Sequence, residues 1–125
     1  MSRAALSPAE QSAVRAVLDA ERRGTAEAMA TLTRDFDGIV EAAASSNGDD
    51  EHDPEGATIA FERSQVAALL RQARERLGDL DRALTQLGEG TYGRCEGCGT
   101  AIAPERLAAR PAARTCITCA SARRR

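Results

Sequence analysis

Two CxxC pairs near the C-terminus constrain this chain more than any other feature of it. Cys95 and Cys98 form the first pair, Cys116 and Cys119 the second, with 17 residues between Cys98 and Cys116. That doubled spacing reads as a zinc site. A CxxC turn can bring two sulfurs to about 2.3 Å from one ion, and a second such turn completes a tetrahedron. Gly97 and Gly99 flank Cys98, where knuckle backbones often need positive φ or room for N–H···S contacts. With all four thiolates used, no coordination position remains for water or substrate. The expectation is one structural Zn²⁺ held by Cys95, Cys98, Cys116 and Cys119. Two disulfides are the alternative, and they fit poorly with a chain in which no apolar stretch follows Met1 to act as a secretory signal. The expected compartment is the cytoplasm.

The rest of the chain must find its stability without bulk. Only Phe36, Phe61 and Tyr92 are aromatic, Trp is absent, and alanine fills 26 of the 125 positions. Such a mixture suits long helices that meet along a narrow seam. The longest apolar run is the five residues from Val66 to Leu70, far short of a membrane span. Ser7, Pro8 and Glu10 form a helix start, with Ser at N-cap, Pro at the first helical position and Glu closing a capping box. The apolar stripe that follows is Val14, Leu18, Thr25, Met29, Leu32, Phe36, Ile39 and Ala43. From Thr25 its steps are 4, 3, 4, 3, 4, interrupted earlier by Glu21, Arg22 and the weakening Gly24. A second stripe runs Ile59, Val66, Leu70, Ala73, Leu77, Leu80, Leu84 and Leu87. Asp53 and Pro54 supply its N-cap and first position, and Gly88 is the expected C′ residue.

Residues 45–56 between the stripes are polar, so the simplest assembly is an antiparallel hairpin joined by a short loop. The expected fold is dominated by α-helix: a long antiparallel coiled-coil hairpin over 8–88, with an acidic tip loop at 45–56. A small four-cysteine finger with a short C-terminal helix and a basic tail follows over 89–125. An arm of about 32 residues would reach roughly 48 Å. Charge divides along the same lines. Asp49, Asp50, Glu51, Asp53 and Glu55 crowd the tip with no basic residue among them, whereas seven arginines face Glu96 and Glu105 from Arg94 onward. His52 reads as a solvated loop residue, since one His with no cysteine nearby makes a poor metal site.

Taken together, hairpin, acidic tip and four-cysteine finger resemble the DksA/TraR family of bacterial transcription regulators. The resemblance is carried by the run from Gly90 through Tyr92 to Cys98, by Ile102, Arg106 and Leu107, by Ala109, Arg110 and Pro111, and by Cys116 to Cys119. It implies a zinc-binding protein that binds RNA polymerase and inserts its tip through the secondary channel. There the tip approaches the active centre and alters the lifetime of promoter complexes. The residues expected to face the active centre are Asp53, Glu55 and Ala57. The family tip pattern is Asp-x-x-Asp-x-Ala. Counted without a gap from the finger it falls on His52, Glu55 and Ala57, and shifted by one residue it falls on Asp53, Gly56 and Thr58. The cationic positions that help hold the alarmone guanosine tetraphosphate in the best-known member fall on Gln72, Asp79 and Ala120. None of these can pair with a phosphate as a cation would, so that site is not expected to form in the same way.

The resemblance implies no enzyme activity, and no nucleophilic or His-based constellation exists to suggest one. The expected partner is RNA polymerase, met as a monomer, with no membrane and no direct sequence-specific DNA binding. The competing readings are a zinc-ribbon nucleic-acid binder, a transcript-cleavage factor and a coiled-coil scaffold. The first fits the small basic surplus poorly, because the finger lacks the interleaved aromatics such binders use.

Overall fold

A computed structural model describes residues 6–45 and 54–123. The order of elements is α1 (Pro8–Ser45), α2 (Pro54–Glu89), α3 (Pro104–Ala109) and α4 (Ile117–Arg123). No named strand occurs among the described residues; one isolated antiparallel bridge joins Arg94 to Ala101. No described helix is long and apolar enough to cross a membrane.

The start of α1 follows from three residues. The Glu10 N–H donates to Ser7 Oγ at 3.1 Å, and the Ser7 N–H donates to Glu10 Oε1 at 3.0 Å. This reciprocal box satisfies two amide donors that a helix N-terminus leaves without partners. Leu6, just outside the cap, packs onto the core below. Gly24 does not stop the helix, although each interior glycine costs about 1 kcal/mol relative to alanine. Neighbouring Ala26, Ala28 and Ala30 carry strong helix propensity through that region.

α2 begins at Pro54, the first-position proline expected from the sequence, while its expected cap Asp53 lies outside the described residues. The expected loop over 45–56 is therefore too long: Ser45 is still helical in α1, and residues 54–56 are already helical in α2. The C-terminal end also differs from expectation. Gly88 is inside α2, and the C′ residue is Gly90, with φ of 80°. The Thr91 N–H donates to Gln86 O at 2.9 Å and the Gly90 N–H to Leu87 O at 3.4 Å, the paired bonds of a Schellman motif. Stopping two residues later keeps Leu87 in the last turn, where it is buried.

The described residues fall into two compact units, one up to Arg23 and from Leu77 onward, the other within Gly24–Arg76. In the first, Leu18 of α1 meets Leu80, Ala83 and Leu87 of α2, with Val14 and Leu84 packed beside them. Arg22 Nε lies 2.5 Å from Asp81 Oδ1 across the same pair. In the second unit, Thr25 and Leu70 are buried. An open groove there is flanked by Gly38, Ile39 and Ala42 of α1 and by Ile59, Glu62 and Val66 of α2. Rising numbers on one helix meet falling numbers on the other, so α1 and α2 pack as the antiparallel hairpin the stripes imply. Ala43, the last member of the first stripe, is exposed; a methyl group offers too little area to close the final turn of α1.

Candidate metal centre

The finger grows directly out of the end of α2. After the turn at Gly90, Tyr92 packs on both apolar clusters of this unit: the Leu18–Leu80–Leu87 core and the smaller one of Cys95, Ile102 and Leu107. Its hydroxyl donates to Pro111 O at 2.7 Å, which satisfies the polar end of a partly buried ring. A short hairpin then carries the first CxxC. The Ile102 N–H donates to Gly93 O at 2.7 Å, the Cys95 N–H to Thr100 O at 2.8 Å and the Gly99 N–H to Cys95 O at 2.9 Å.

The two glycines of this knuckle serve different ends. Gly99 has φ of 77°, a backbone conformation that L side chains rarely adopt. Gly97 is needed for space instead: a Cβ there would lie 3.0 Å from Cys119 Sγ and 3.6 Å from Cys95 Sγ. Its N–H points at Cys95 Sγ, 3.3 Å away. The second knuckle opens α4, with the Cys119 N–H donating to Cys116 Sγ at 3.4 Å. Between the knuckles, Arg106 of α3 donates from Nε to Thr115 O at 2.8 Å and so steadies the approach to Cys116.

These turns gather all four sulfurs to within 4.8 Å of one another, and Cys98 Sγ lies 3.8 Å from Cys116 Sγ. A tetrahedral zinc with Zn–S bonds of about 2.3 Å has S···S edges of about 3.8 Å, whereas a disulfide requires about 2.05 Å. The cysteines are free thiols in this arrangement, and the cluster could hold one zinc ion. Bound there, zinc would supply a structural cross-link between the two knuckles and leave no open position.

Thiol electrostatics agree with a cation site. Burial pushes the Cys95 thiol up, but backbone N–H groups of Cys116, Cys98 and Gly97 together outweigh it and bring the thiol to about 6. Cys98 is also lowered, chiefly by the Thr100 hydroxyl at 3.0 Å. Cys119 is pushed up to about 12, first by Cys116 and then by Cys95 and Cys98. Four thiolates this close repel one another, and a divalent cation removes that repulsion.

A second cluster, which sequence reasoning missed, adjoins the first. Glu96, inside the first CxxC, accepts from Arg82 Nη1 at 2.6 Å and Gln86 Nε2 at 3.3 Å on α2, and from Arg114 Nε at 3.0 Å. Arg114 also reaches Asp79 Oδ1 at 3.4 Å. The Arg82 guanidinium, helped by Arg114 and opposed by burial, holds the Glu96 carboxyl below the usual range. The only signal in the sequence was a carboxylate inside a metal knuckle, which by itself does not name its partners. Of the three positions compared with the alarmone site, Asp79 is engaged by Arg114, Gln72 is exposed and Ala120 is half-buried.

The expected tip residues divide differently. Asp53 lies outside the described residues. Glu55 falls in the first turn of α2, and Ala57, two residues further, is exposed.

Comparisons with known proteins agree with this geometry. Residues 90–125 match the prokaryotic dksA/traR C4-type zinc finger. General stress protein 16O of Bacillus subtilis strain 168 is 39% identical over 72 residues, 58% of this chain and 44% of that protein. YteA of the same organism is 42% identical over 66 residues, covering 53% of this chain and 28% of its own length. The matched segment thus spans less than half of either relative. Among solved structures, transcription factor DksA2 from Pseudomonas aeruginosa aligns with a TM-score of 0.73 at 26% identity, covering 94% of this chain and 84% of that one.

Proposed function

We propose that this chain, whose finger is of the DksA/TraR type, is a transcription regulator that binds RNA polymerase. It inserts the end of its helix hairpin into the secondary channel and modulates initiation. The observation that carries the reading is the joining of two features in one chain: an antiparallel α1–α2 pair and a four-cysteine cluster fastened to the end of α2. The likeness to transcription factor DksA2 extends over 94% of the chain, beyond the finger alone.

In this reading Cys95, Cys98, Cys116 and Cys119 hold one structural zinc. The tip, with Asp53, Glu55 and Ala57, faces the active centre. Its carboxylates suit the basic, Mg²⁺-containing surroundings there. Regulation requires no catalysis by the chain itself. A protein that binds one polymerase state more tightly than another shifts the balance between them by its differential affinity. It works in the cytoplasm as a monomer and reads no DNA sequence directly. Arg114 already engages Asp79, and Gln72 and Ala120 carry no charge, so guanosine tetraphosphate is not held there by cations.

The test is a pull-down with purified core RNA polymerase, followed by promoter-complex lifetimes with the native chain and an Asp53→Ala/Glu55→Ala variant. The expected result is binding by both and a change in lifetime with the native chain only. Binding without any change in lifetime would reduce the chain to a docking competitor. Absence of binding would overturn the reading and return the hairpin to a scaffold role.

A further inference from the structure

Glu96 sits next to a zinc ligand, yet its side chain is directed at the helix. Its carboxylate collects three side-chain donors: Arg82 and Gln86 from the last turns of α2 and Arg114 from the segment leading into Cys116. The backbone reinforces this, since the Glu96 N–H donates to Arg114 O at 2.9 Å. Arg114 extends the network back to Asp79, one turn before Arg82 on α2. One carboxylate therefore ties together the first knuckle, the approach to the second knuckle and the end of α2.

We propose that Glu96 couples zinc occupancy of the finger to the anchoring of the C-terminal turns of α2, so that metal and helix end stabilise each other. The inference rests on the four cysteines taking zinc and is independent of any partner. Its logic is geometric. Glu96 leaves the backbone between Cys95 and Cys98, so its direction is set by the turn those two ligands close around the metal. Arg114 is two residues from Cys116, so the clamp grips both halves of the tetrahedron. Without metal, the sulfurs are linked only by weak N–H···S and thiol contacts, and the aim of the carboxylate rests on the backbone bonds of the first knuckle and of Glu96 to Arg114 alone. By linkage, whatever zinc does for the clamp, the clamp does for zinc.

Network geometry separates this from an ordinary surface pair. The Glu96 side chain is 27% exposed, less than Arg82 at 46% or Arg114 at 41%, and it holds several donors at once. Isolated exposed pairs contribute little. The Arg22–Asp81 pair in the same unit is of that isolated kind, with both side chains about half exposed, and it does not touch the knuckles.

The test uses the full chain, with zinc as the only ligand. Zinc affinity is measured by equilibrium competition with a chelator for the native chain, Glu96→Gln, Arg82→Ala, the double variant and Arg22→Ala. Amide hydrogen exchange over residues 82–89 is followed with and without zinc. We expect affinity to fall about threefold to tenfold in Glu96→Gln and in Arg82→Ala, below the effect of partners that touch a ligand directly. The double variant should be no worse than the weaker single, and Arg22→Ala should match the native chain. In the native chain zinc should slow exchange over 82–89, and in zinc-loaded Glu96→Gln those amides should exchange as though metal-free. Arg82 lies outside the finger, so Arg82→Ala carries the test if Glu96→Gln fails to fold. If the metal-free chain exchanges rapidly throughout, the affinities decide. Unchanged affinity in both single variants would overturn the coupling. A native chain that binds no zinc would overturn the metal site itself, a result distinct from zinc bound without coupling.

Discussion

Gly97→Ala adds a single methyl group, and the geometry says where it goes. The new Cβ would lie 3.0 Å from Cys119 Sγ and 3.3 Å from Cys119 Cβ, against ordinary carbon contacts of about 3.5–4.0 Å. One side must retreat by about half an ångström, but a metal ligand keeps its place only to within about 0.2 Å. Cys119 therefore cannot yield without stretching its bond, and the first knuckle must open instead. Overpacking of this kind costs about 1–3 kcal/mol, equivalent to a loss in zinc affinity of roughly fivefold to 150-fold. Chelator competition reads that loss directly. Two further glycine variants isolate the cause. Gly99→Ala meets no atom within 4 Å but must accept φ of 77°, so it suffers backbone strain of about 1 kcal/mol without a clash. Gly78→Ala meets neither obstacle; it should leave zinc affinity unchanged and raise stability by up to about 1 kcal/mol. Zinc affinity in Gly97→Ala within twofold of the native chain would refute the steric argument.

Other substitutions probe the helix pair. Leu80→Ala removes a fully buried side chain at the centre of the Leu18 cluster and should cost about 2–5 kcal/mol in urea unfolding. Ser7→Ala deletes the hydroxyl that accepts from the Glu10 N–H; a loss of about 1 kcal/mol is expected, with faster amide exchange confined to the first turn of α1. Stripping zinc with a chelator should lower the thermal midpoint and release the finger, because binding free energy at a structural zinc site is also folding free energy. Calorimetry with and without chelator measures it, and equal midpoints would count against a metal-dependent finger.

Much of this molecule was legible in its sequence because three of its devices are local. A CxxC turn gathers two sulfurs whatever surrounds it, and doubling it leaves little choice of chemistry. The capping box at Ser7 and Glu10 and the leucine stripe of α2 are local in the same sense. What could not be read depended on contacts between distant segments. Gly88 and Gly90 are equally good terminators on paper; the choice is made by the bonds to Leu87 and Gln86 and by Tyr92 settling between two clusters. Ala83 is buried although it stands beside the heptad stripe, because a small side chain lets α1 approach there. Glu96 was invisible as a clamp because its partners lie 10 to 18 positions away, beyond any pattern of helical or strand period. The assignment of Asp53, Glu55 and Ala57 to the tip is a reading of sequence alone.

The smallness of the core explains why a metal belongs at this end of the hairpin. In the unit that carries the cysteines, the largest fully buried side chains are Leu18, Leu80, Ile102 and Cys95, and one of those belongs to the four-cysteine cluster. Full burial of a large aliphatic side chain contributes about 1.5–3 kcal/mol, while ordering each residue costs about 1–2 kcal/mol in backbone entropy. The segment from Thr91 to Ala103 contains no helix, and its apolar burial is confined to Ile102, Cys95 and one face of Tyr92. It cannot offset its own ordering by packing. Zinc would supply what the side chains do not: it would join two turns that are distant in sequence, at a point where Tyr92 and Glu96 already fasten the first of them to the end of α2. The direction of dependence follows. The hairpin has its own leucines and caps, whereas the finger is expected to depend on the metal for its shape. Through Glu96, the last turns of α2 share in that dependence.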